Sequence, residues 1–509
     1  MHSLIANVWL IPALPLLAAL WIAVGYIFGW NRGERGEKDT ALTSITAVSL
    51  SLLLLLTLDV VAGMYGAPGQ IQLGTWLSSG EYQVAVSFGL DRLGLIMGTL
   101  VALICLLILR FSVNYMHREA GFQRFFMILN LFCSGMLLIV LAGNAVFAFI
   151  GWELAGVSSY LLIGYMLQRD TATLNASQAI ITNRIGDAAF VVGIVSSYIW
   201  LGSVEWTQIN NSNLSPLHTG MIMMSFLIAA MAKSAMVPFT SWIAKALEGP
   251  TPSSAVFYGS LMVHAGVYLL IRLEPLLLTS LLLPLLVFVG LLTFAYGFLG
   301  GLVQTDVKSA LIFSVTSQVG LMVVLCGLKL FDLAAIYLVL HAIFRAWQFL
   351  LAPSFLHNTR RPPQPVSGWL SRQNWLYTAT LQRFWLDHLA RWLLVRPANK
   401  LGRDARNFDE KVIQRIVGLP AQASHESTLT DRRQSPRIGT GRGMAGKFMQ
   451  GVASAFCWFE EHLVLKGGGE NLTTLLQYLG GYMAKIEDLL AQPRYLLVLI
   501  LATFIVILS

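Results

Sequence analysis

Hydrophobic residues occur along this chain in long stretches that polar or glycine-rich segments separate. A helix needs roughly 20 apolar residues to cross a bilayer. Stretches of about that length predict about twelve transmembrane helices, at residues 6–30, 41–63, 92–112, 125–142, 145–167, 173–200, 219–245, 253–271, 276–303, 305–328, 331–355 and 493–508. Between the second and third, the runs QIQLGTW and YQVAVSF flank Ser78–Gly80 and predict an external β-hairpin within residues 68–90. We therefore predict an all-α polytopic membrane protein.

The composition agrees with a membrane protein and argues against a self-contained enzyme. Of 509 residues, 56% are hydrophobic and only 12% are charged, more apolar surface than a soluble chain can bury. The four cysteines are scattered without a CxxC pair, so neither a disulfide framework nor a zinc or iron–sulfur site is indicated. The sequence also lacks HExxH, nucleophile-elbow and phosphate-loop motifs.

The distribution of Lys and Arg predicts the orientation, because these residues concentrate in short cytoplasmic loops. The loop after the first span, NRGERGEKDT, carries three of them, and the loop after the third carries Arg118 and Arg124. Residues 201–218 carry none. We therefore expect the N-terminus outside the cell and the odd-numbered loops in the cytoplasm.

The stretch 356–492 is polar and holds 18 of the chain's 34 Lys and Arg residues, so we expect it to be cytoplasmic. Within it, LQRFWLDHLARWLLV predicts an amphipathic helix with Leu381, Trp385, Leu389 and Trp392 on one face and Arg383, Asp387 and Arg391 on another. Such a helix fits a membrane surface or a partner protein. A second amphipathic stretch surrounds Phe448, and residues 420–443 resemble a linker. Interleaved acidic residues argue against nucleic-acid binding.

The ionisable residues within predicted spans include Glu153, Lys233, His264, His341 and Arg345. Such residues are costly in a bilayer and by default indicate a functional site. A buried lysine near a carboxylate can hold or release a proton, whereas arginine stays protonated. Histidine titrates near neutrality and can pass protons onward. We predict that Glu153 lies within ion-pair or water-bridged reach of Lys233, as part of a proton or ion pathway.

Four of these residues also have a purely structural interpretation. Glu153 and Lys233 would then be a buried pair without a transport role. His264 would be a core histidine with its hydrogen bonds satisfied. Arg345 would extend to the cytoplasmic interface along its aliphatic stem.

Prolines indicate breaks beside the buried lysine. Pro238 follows Lys233 by five residues and removes a helical hydrogen bond. Pro250 and Pro252, in EGPTPSS, supply a second break before the next span. Broken helices at membrane depth occur where they line a cavity for ions or water. The seventh span is therefore predicted to be a discontinuous helix with a titratable group beside the break.

Five segments resemble the antiporter-like membrane subunits of respiratory complex I (subunit L) and of Mrp antiporters. They are GWELAGVSSYLLIGY, NRIGDAAF, AKSAMVPFTSWIAKALEGPTPSSA, GLVQTDVKSALIFSVTSQVG and HAIFRA, and the resemblance covers roughly residues 85–350. By spacing alone, Arg184 and Asp187 are a local i, i+3 pair. The resemblance implies a proton path that contains Glu153, Lys233, His264 and His341, with Arg184 and Asp187 as a charged pair near it.

Two further segments, LEGPTPSSAVFYGSLMVH and RAWQFLLAPSFLHN, are most similar to the membrane subunit of the DAB inorganic-carbon transporters. That resemblance implies a large soluble cytoplasmic partner with a zinc site like that of a β-carbonic anhydrase, and no cofactor in this chain. It implies that a proton or sodium gradient drives accumulation of CO2 or bicarbonate. The alternatives are a subunit of a complex I-like, hydrogenase or Mrp-type complex, and a membrane scaffold with relict charges.

The resemblance also implies a division of the chain. Residues 1–124 would hold the N-terminal helices and the hairpin, 125–355 the ion-translocating core, 356–492 the basic cytoplasmic segment, and 493–509 the last span. Complex I subunits carry a second broken helix soon after the span that HAIFRA belongs to. Here that place holds HNTRRPPQPVSGWLSRQNW, which is too polar to span. We therefore expect the second repeat, and with it the second half-channel, to be truncated.

Overall fold

A computed structural model describes residues 5–30, 33–79, 82–352, 366 and 368–408. Within these residues, eleven helices are long and apolar enough to cross a membrane. They are α1 (Leu10–Ile27), α2 (Gly33–Tyr65), α3 (Arg92–Tyr115), α4 (Phe122–Leu141), α5 (Ala145–Ile163), α6 (Asp170–Leu201), α7 (Pro216–Lys233), α8 (Thr251–Arg272), α9 (Leu283–Leu302), α10 (Val307–Gly327) and α11 (Phe331–Leu351). The all-α polytopic fold is thus confirmed. The predicted span 493–508, the linker 420–443 and the stretch around Phe448 lie outside the described residues.

Several helices begin where a short polar side chain caps the first turn. Asp91 accepts a hydrogen bond from the backbone of Gly94 at the start of α3, and Asn144 accepts one from Phe147 at the start of α5. Asp306 does the same for Ser309 at α10. These side chains satisfy backbone N–H groups that have no partner within the helix, which matters most near lipid.

The predicted hairpin forms from β1 (Gly69–Ser79) and β2 (Tyr82–Leu90), which pair antiparallel with two register shifts. It is fastened to the helices by Glu205, which follows α6. The Glu205 carboxylate accepts hydrogen bonds from Gln70 of β1, from Ser87 of β2 at 2.7 Å and from Asn144 at 3.1 Å. One carboxylate therefore joins both strands to the loops at this end of the bundle.

The loops that follow the first, third, fifth and seventh spans meet at one end of the bundle, which we call the basic face. Arg118 pairs with Glu34 at 3.0 Å, and Arg169 pairs with Glu248 at 3.5 Å. The hairpin and Glu205 lie at the opposite end. The alternation of loops predicted from the spans is therefore present in the fold.

Two membrane helices are interrupted next to each other. Helix α7 ends at Lys233, and a 3₁₀ segment, Phe239–Glu248, continues the chain. Helix α8 consists of one α turn, a π segment at Ala255–Ser260, a 3₁₀ turn at Met262–His264 and the α-helix Ala265–Arg272. The break in α7 was expected from the prolines. The irregular middle of α8 was not.

The predicted amphipathic helix over residues 381–395 is wrong as a single helix. A helix at Asn374–Leu381 gives way to a 3₁₀ turn, a short helix at Leu386–Ala390 and a π turn at Arg391–Val395. The interruption is a left-handed turn at Arg383, Phe384 and Trp385, with φ near +50° at each. Contacts with the bundle, described below, hold this turn in place and override the local helical pattern.

The helix Arg396–Phe408 belongs to a second compact unit, which begins at Arg396. None of its residues is buried.

Candidate functional site: a buried polar series

Lys233 ends α7 with its side chain almost entirely buried, at 1% exposure. Its ammonium donates a hydrogen bond to the backbone carbonyl of Trp152 at 2.8 Å and lies 5.0 Å from the centre of the Trp152 ring. Gly156, one helical turn further along α5, makes room for it, because a Cβ at that position would lie 3.1 Å from Nζ. The lysine is thus held by a carbonyl and an aromatic face rather than by a direct ion pair.

The carboxylate predicted to face Lys233 pairs elsewhere. Glu153 forms an ion pair with Arg184, which also lies 3.4 Å from Asp187. Asp187 accepts a hydrogen bond from the Trp152 indole at 3.1 Å. Both carboxylates still interact electrostatically with Lys233, Asp187 more strongly than Glu153. Trp152 therefore connects the two halves of the cluster, with its carbonyl on Lys233 and its N–H on Asp187.

The positive charges of Lys233 and Arg184 balance the negative charges of Glu153 and Asp187. This balance explains how the cluster is tolerated at membrane depth. The cluster is not buried throughout. The Arg184 side chain is 46% exposed and that of Glu153 is 24% exposed, so this pair lies at the edge of the bundle. The expectation that Glu153 faces the bundle interior is met only in part.

The predicted histidines form a second series. His264 and His341 share a hydrogen bond at 2.9 Å, and the Arg345 guanidinium donates to the other nitrogen of His341 at 3.1 Å. Because arginine can only donate, a neutral His341 carries its proton on Nδ1 and gives it to His264. Arg345 also donates to Gln348 at 2.7 Å, so it is anchored among side chains of the bundle.

The two series meet at the two helix breaks. The backbone N–H of Gly266, two residues after His264, donates to the hydroxyl of Ser234, the residue after Lys233, at 3.1 Å. The breaks pack so closely that a Cβ on Gly266 would lie 2.4 Å from the carbonyl oxygen of Ala230. The irregular backbone of α8 thus brings His264 beside the end of α7.

The backbone groups that the broken helix leaves free find side-chain partners. The carbonyl of Ala232 accepts from the Trp242 indole at 3.0 Å, and the N–H of Val237 donates to Thr293 at 3.0 Å. Pro238, preceded by a cis peptide bond, stands immediately before the 3₁₀ segment. Pro250 and Pro252 begin α8. The three predicted break residues therefore lie at the ends of the irregular segments.

Sequence reasoning missed several residues of the site. Trp152 belongs to the segment GWELAGVSSYLLIGY, but nothing in its spacing predicts that it links Lys233 to Asp187. Lys245 and Asp387 were not assigned to the path, although the positive and negative charges of WIAKALE and WLDHLA are visible in the sequence. Long-range pairing of this kind becomes apparent only when the helices are packed.

The arrangement suits transfer of a small cation, since titratable groups and hydroxyls follow one another through a largely apolar bundle. Within the described residues, no group of three or more His, Cys, Asp or Glu side chains could hold a metal ion.

Comparison with known proteins identifies the family. The model described as "NADH:quinone oxidoreductase/Mrp antiporter, TM" matches residues 142–368, and the model for the N-terminus of complex I chain 5 matches residues 76–126. The chain belongs to the antiporter-like subunit family of complex I and Mrp complexes. The first match contains every residue of both polar series described above.

Curated relatives in this family include chain 5 of NADH-ubiquinone oxidoreductase from Rhizopus stolonifer, 36% identical over 68% of this chain and 53% of the relative. The chloroplast NAD(P)H-quinone oxidoreductase subunit 5 of Marchantia polymorpha is 30% identical over 75% of this chain and 56% of the relative. The chain thus spans about half the length of the curated relatives it matches.

Solved structures share the fold. The Mrp complex from Dietzia sp. matches with a TM-score of 0.59 and 23% identity, over 67% of this chain and 37% of the other. The archaeal membrane-bound sulfane sulfur reductase matches with a TM-score of 0.60 and 18% identity, over 76% of this chain and 82% of the other. Both are multi-subunit membrane complexes.

Proposed function

We propose that this chain is an ion-translocating membrane subunit that moves protons, or sodium ions, along the two buried polar series. The observation that carries the proposal is their contact at the breaks of α7 and α8, where Ser234 beside Lys233 meets Gly266 beside His264. A buried charge cluster that served only to stabilise the fold would need no neighbouring pair of histidines and no interrupted helices.

The chemistry of each group supports this role. The environment of a buried ammonium favours its neutral form, and nearby carboxylates favour its charged form, so a small rearrangement can release or bind a proton. Trp152 couples Lys233 to Asp187, which makes their protonation states interdependent. The hydrogen bond that His341 donates to His264 offers a route onward, because an imidazole can bind a proton at one ring nitrogen and release one from the other.

Within that function, we favour coupling of a cation gradient to uptake of CO2 or bicarbonate, with a large soluble partner that carries a zinc site like that of a β-carbonic anhydrase. The support is the likeness of the segments around residues 247–264 and 345–358 to DAB transporters, together with the polar stretch after α11. On this proposal the basic face and residues 356–492 are cytoplasmic, in a bacterial inner membrane.

A second candidate is a subunit of a complex I-like, hydrogenase or Mrp-type complex. The names of the relatives and of the solved structures favour it, since they are oxidoreductase subunits and an Mrp complex. In both candidates this chain itself carries no cofactor and works within a larger assembly.

The common proposal is tested by ion flux into vesicles that contain the purified full chain with its associated subunits. A proton gradient should drive proton flux above that of empty vesicles, and Lys233→Ala should remove the flux without releasing the other subunits. If Lys233→Ala conducts like the unaltered protein, the chain is a scaffold. Sodium flux that persists after a protonophore has collapsed the proton gradient would identify Na⁺ as the ion.

The finer proposal is tested in cells. Accumulation of labelled bicarbonate should depend on this chain and stop when a protonophore is added, and a zinc-containing soluble protein should co-purify with it. Co-purification of a redox or hydrogenase module, without bicarbonate accumulation, would instead support the second candidate.

A further inference from the structure

The polar segment after α11 reaches into the membrane bundle at the basic face. The Phe384 ring lies 6.1 Å from that of Tyr296 in α9, and the Arg383 guanidinium lies 5.7 Å from the centre of the Phe313 ring in α10. Asp387 follows on the next turn and forms an ion pair with Lys245 of the 3₁₀ segment, at 3.6 Å. The segment is therefore held against the broken part of the path.

The turn that makes this contact has an unfavourable backbone conformation. Arg383, Phe384 and Trp385 all adopt left-handed φ values near +50°, a region that costs roughly 1 kcal/mol or more for each non-glycine residue. Three successive residues of this kind persist only where surrounding contacts impose them. The turn replaces the straight helix that the sequence pattern favours and directs Asp387 toward Lys245.

The ion pair is more buried than a surface salt bridge. The side chains of Lys245 and Asp387 are 13% and 17% exposed, respectively. Lys245 also donates to Gln178 of α6 at 2.8 Å, and Arg383 pairs with the same oxygen of Asp387 at 3.2 Å. Both cations therefore engage Asp387 Oδ2 and none is bonded to Oδ1.

The second carboxylate oxygen is buried where the short helix Leu386–Ala390 packs on the 3₁₀ segment Phe239–Glu248. Asp387 Oδ1 and the Ser241 hydroxyl are buried and have no hydrogen-bond partner among the described residues. The hydroxyls of Thr240 and Tyr296 are likewise buried without a hydrogen-bond partner among the described residues, and Tyr296 lies within electrostatic range of Asp387. Buried polar groups are normally hydrogen-bonded, to water where protein groups do not serve. This group of hydroxyls and one carboxylate oxygen is therefore suited to a short chain of water.

The 3₁₀ segment leads back along the chain from Lys245 toward Lys233. Thr240 and Ser241 stand between Lys233 and Lys245 in sequence, and both are fully buried. Along α6, Gln178 precedes Asp187 by nine residues, which is about 13 Å of helix. Two or three water molecules and the intervening hydroxyls are enough to cover such a distance.

We propose that Asp387 is the proton-transfer group at the basic-face end of the path, positioned by its ion pair with Lys245. This inference rests on the proposed function and adds the residue through which protons enter or leave. The charged groups that face Asp387 are Lys245 of the 3₁₀ segment, together with Arg383 and Arg391 of its own segment.

The transfer conserves protons at each step. A hydronium ion at the basic face gives a proton to the Asp387 carboxylate and becomes water, and the neutral carboxyl then binds Lys245 less strongly. The carboxyl passes this proton inward, as each hydroxyl or water accepts one proton and donates its own to the next group. Lys233 accepts the proton after it has released its own toward the histidine series and become a neutral amine. Asp387 returns to the carboxylate and the ion pair reforms. The reverse order releases a proton at the same face.

The test measures proton flux in vesicles that contain the full chain with its associated subunits and no sodium. Asp387→Asn keeps the shape of the side chain but cannot titrate, and its flux should fall at least tenfold. Formate, a small weak acid, should restore part of that flux by replacing the missing carboxyl. Asp387→Glu should conduct with a shifted pH dependence. The matched control, Glu34→Gln, removes an exposed carboxylate paired with Arg118 at the same face and should change nothing.

The outcomes separate this inference from the proposed function. Flux in Asp387→Asn that equals that of the unaltered protein, while Lys233→Ala abolishes flux, overturns only the role of Asp387. A loss in Asp387→Asn that formate does not relieve overturns it as well, and shows that the pair merely fastens the segment. If neither the unaltered protein nor any variant conducts above empty vesicles, the proposed function itself fails.

Discussion

Replacement of Gly266 by alanine tests whether the contact between the two helix breaks is as close as described. The new Cβ would lie 2.3 Å from the Ser234 hydroxyl and 2.4 Å from the carbonyl oxygen of Ala230. Ordinary contacts begin at 3.4 Å, so the two segments must separate by about 1 Å. Overpacking of this kind costs about 1–3 kcal/mol. Loss of the Gly266–Ser234 hydrogen bond adds about 1 kcal/mol. We expect a total destabilisation of roughly 2–4 kcal/mol.

The measurement is thermal unfolding of the purified protein in detergent, together with ion flux in vesicles. Gly266→Ala should unfold at a clearly lower temperature and conduct less, because it moves Lys233 away from His264. Gly301→Ala is the control. Its Cβ would have no neighbour nearer than 3.7 Å, so it should be neutral or slightly stabilising. Equal unfolding temperatures for the two variants would refute the close packing of the breaks.

Three further predictions concern single side chains. Burial raises the pKa of Glu205 despite its three hydrogen-bond donors, so the fold favours its protonated form. Its contribution to stability is present below the ordinary glutamate pKa and is lost as pH rises through the raised value. The unfolding temperature should therefore fall more from pH 4 to pH 7 in the unaltered protein than in Glu205→Gln, and parallel curves would contradict this. Trp152→Phe removes the donor to Asp187 but keeps the carbonyl that binds Lys233. The free energy of unfolding should therefore fall by about 1.5–3 kcal/mol. An unchanged unfolding temperature would contradict the hydrogen bond between Trp152 and Asp187. His341→Gln should reduce ion flux at least tenfold without loss of assembly, and normal flux would remove the histidine pair from the path.

The spans and the hairpin were predictable because their signal is local. Apolar stretches long enough to cross a bilayer leave few alternatives, and the alternating strands flank a recognisable turn. The break after Lys233 was also predictable, since Pro238 cannot donate a backbone hydrogen bond. The break within α8 was not, because no proline lies between residues 253 and 272. It depends on close packing around Gly259 and Gly266 rather than on local preference.

The sequence predicts which residues form the site but not which of them pair with one another. Costly charges within apolar spans marked Glu153, Lys233 and the histidines. Which carboxylate meets which cation depends on helix rotation and depth, which one sequence does not determine. Glu153 was therefore assigned to Lys233, although its direct partner is Arg184.

In residues 381–395 the local pattern is clear, but it predicts the wrong structure. The periodic pattern predicts one continuous amphipathic helix. Contacts of Phe384 with Tyr296 and of Asp387 with Lys245 instead require a turn that the local sequence disfavours. Tertiary contacts outweighed helix propensity there, because several of them act on a few residues.

Proton flux through Lys233→Arg shows whether Lys233 itself transfers the transported proton. Arginine keeps the positive charge that balances Glu153 and Asp187, so the complex should assemble, but it does not release its proton at any relevant pH. We predict assembled protein whose flux does not exceed that of empty vesicles. Flux close to that of the unaltered protein would show that Lys233 supplies only charge, and the account of the path would be wrong.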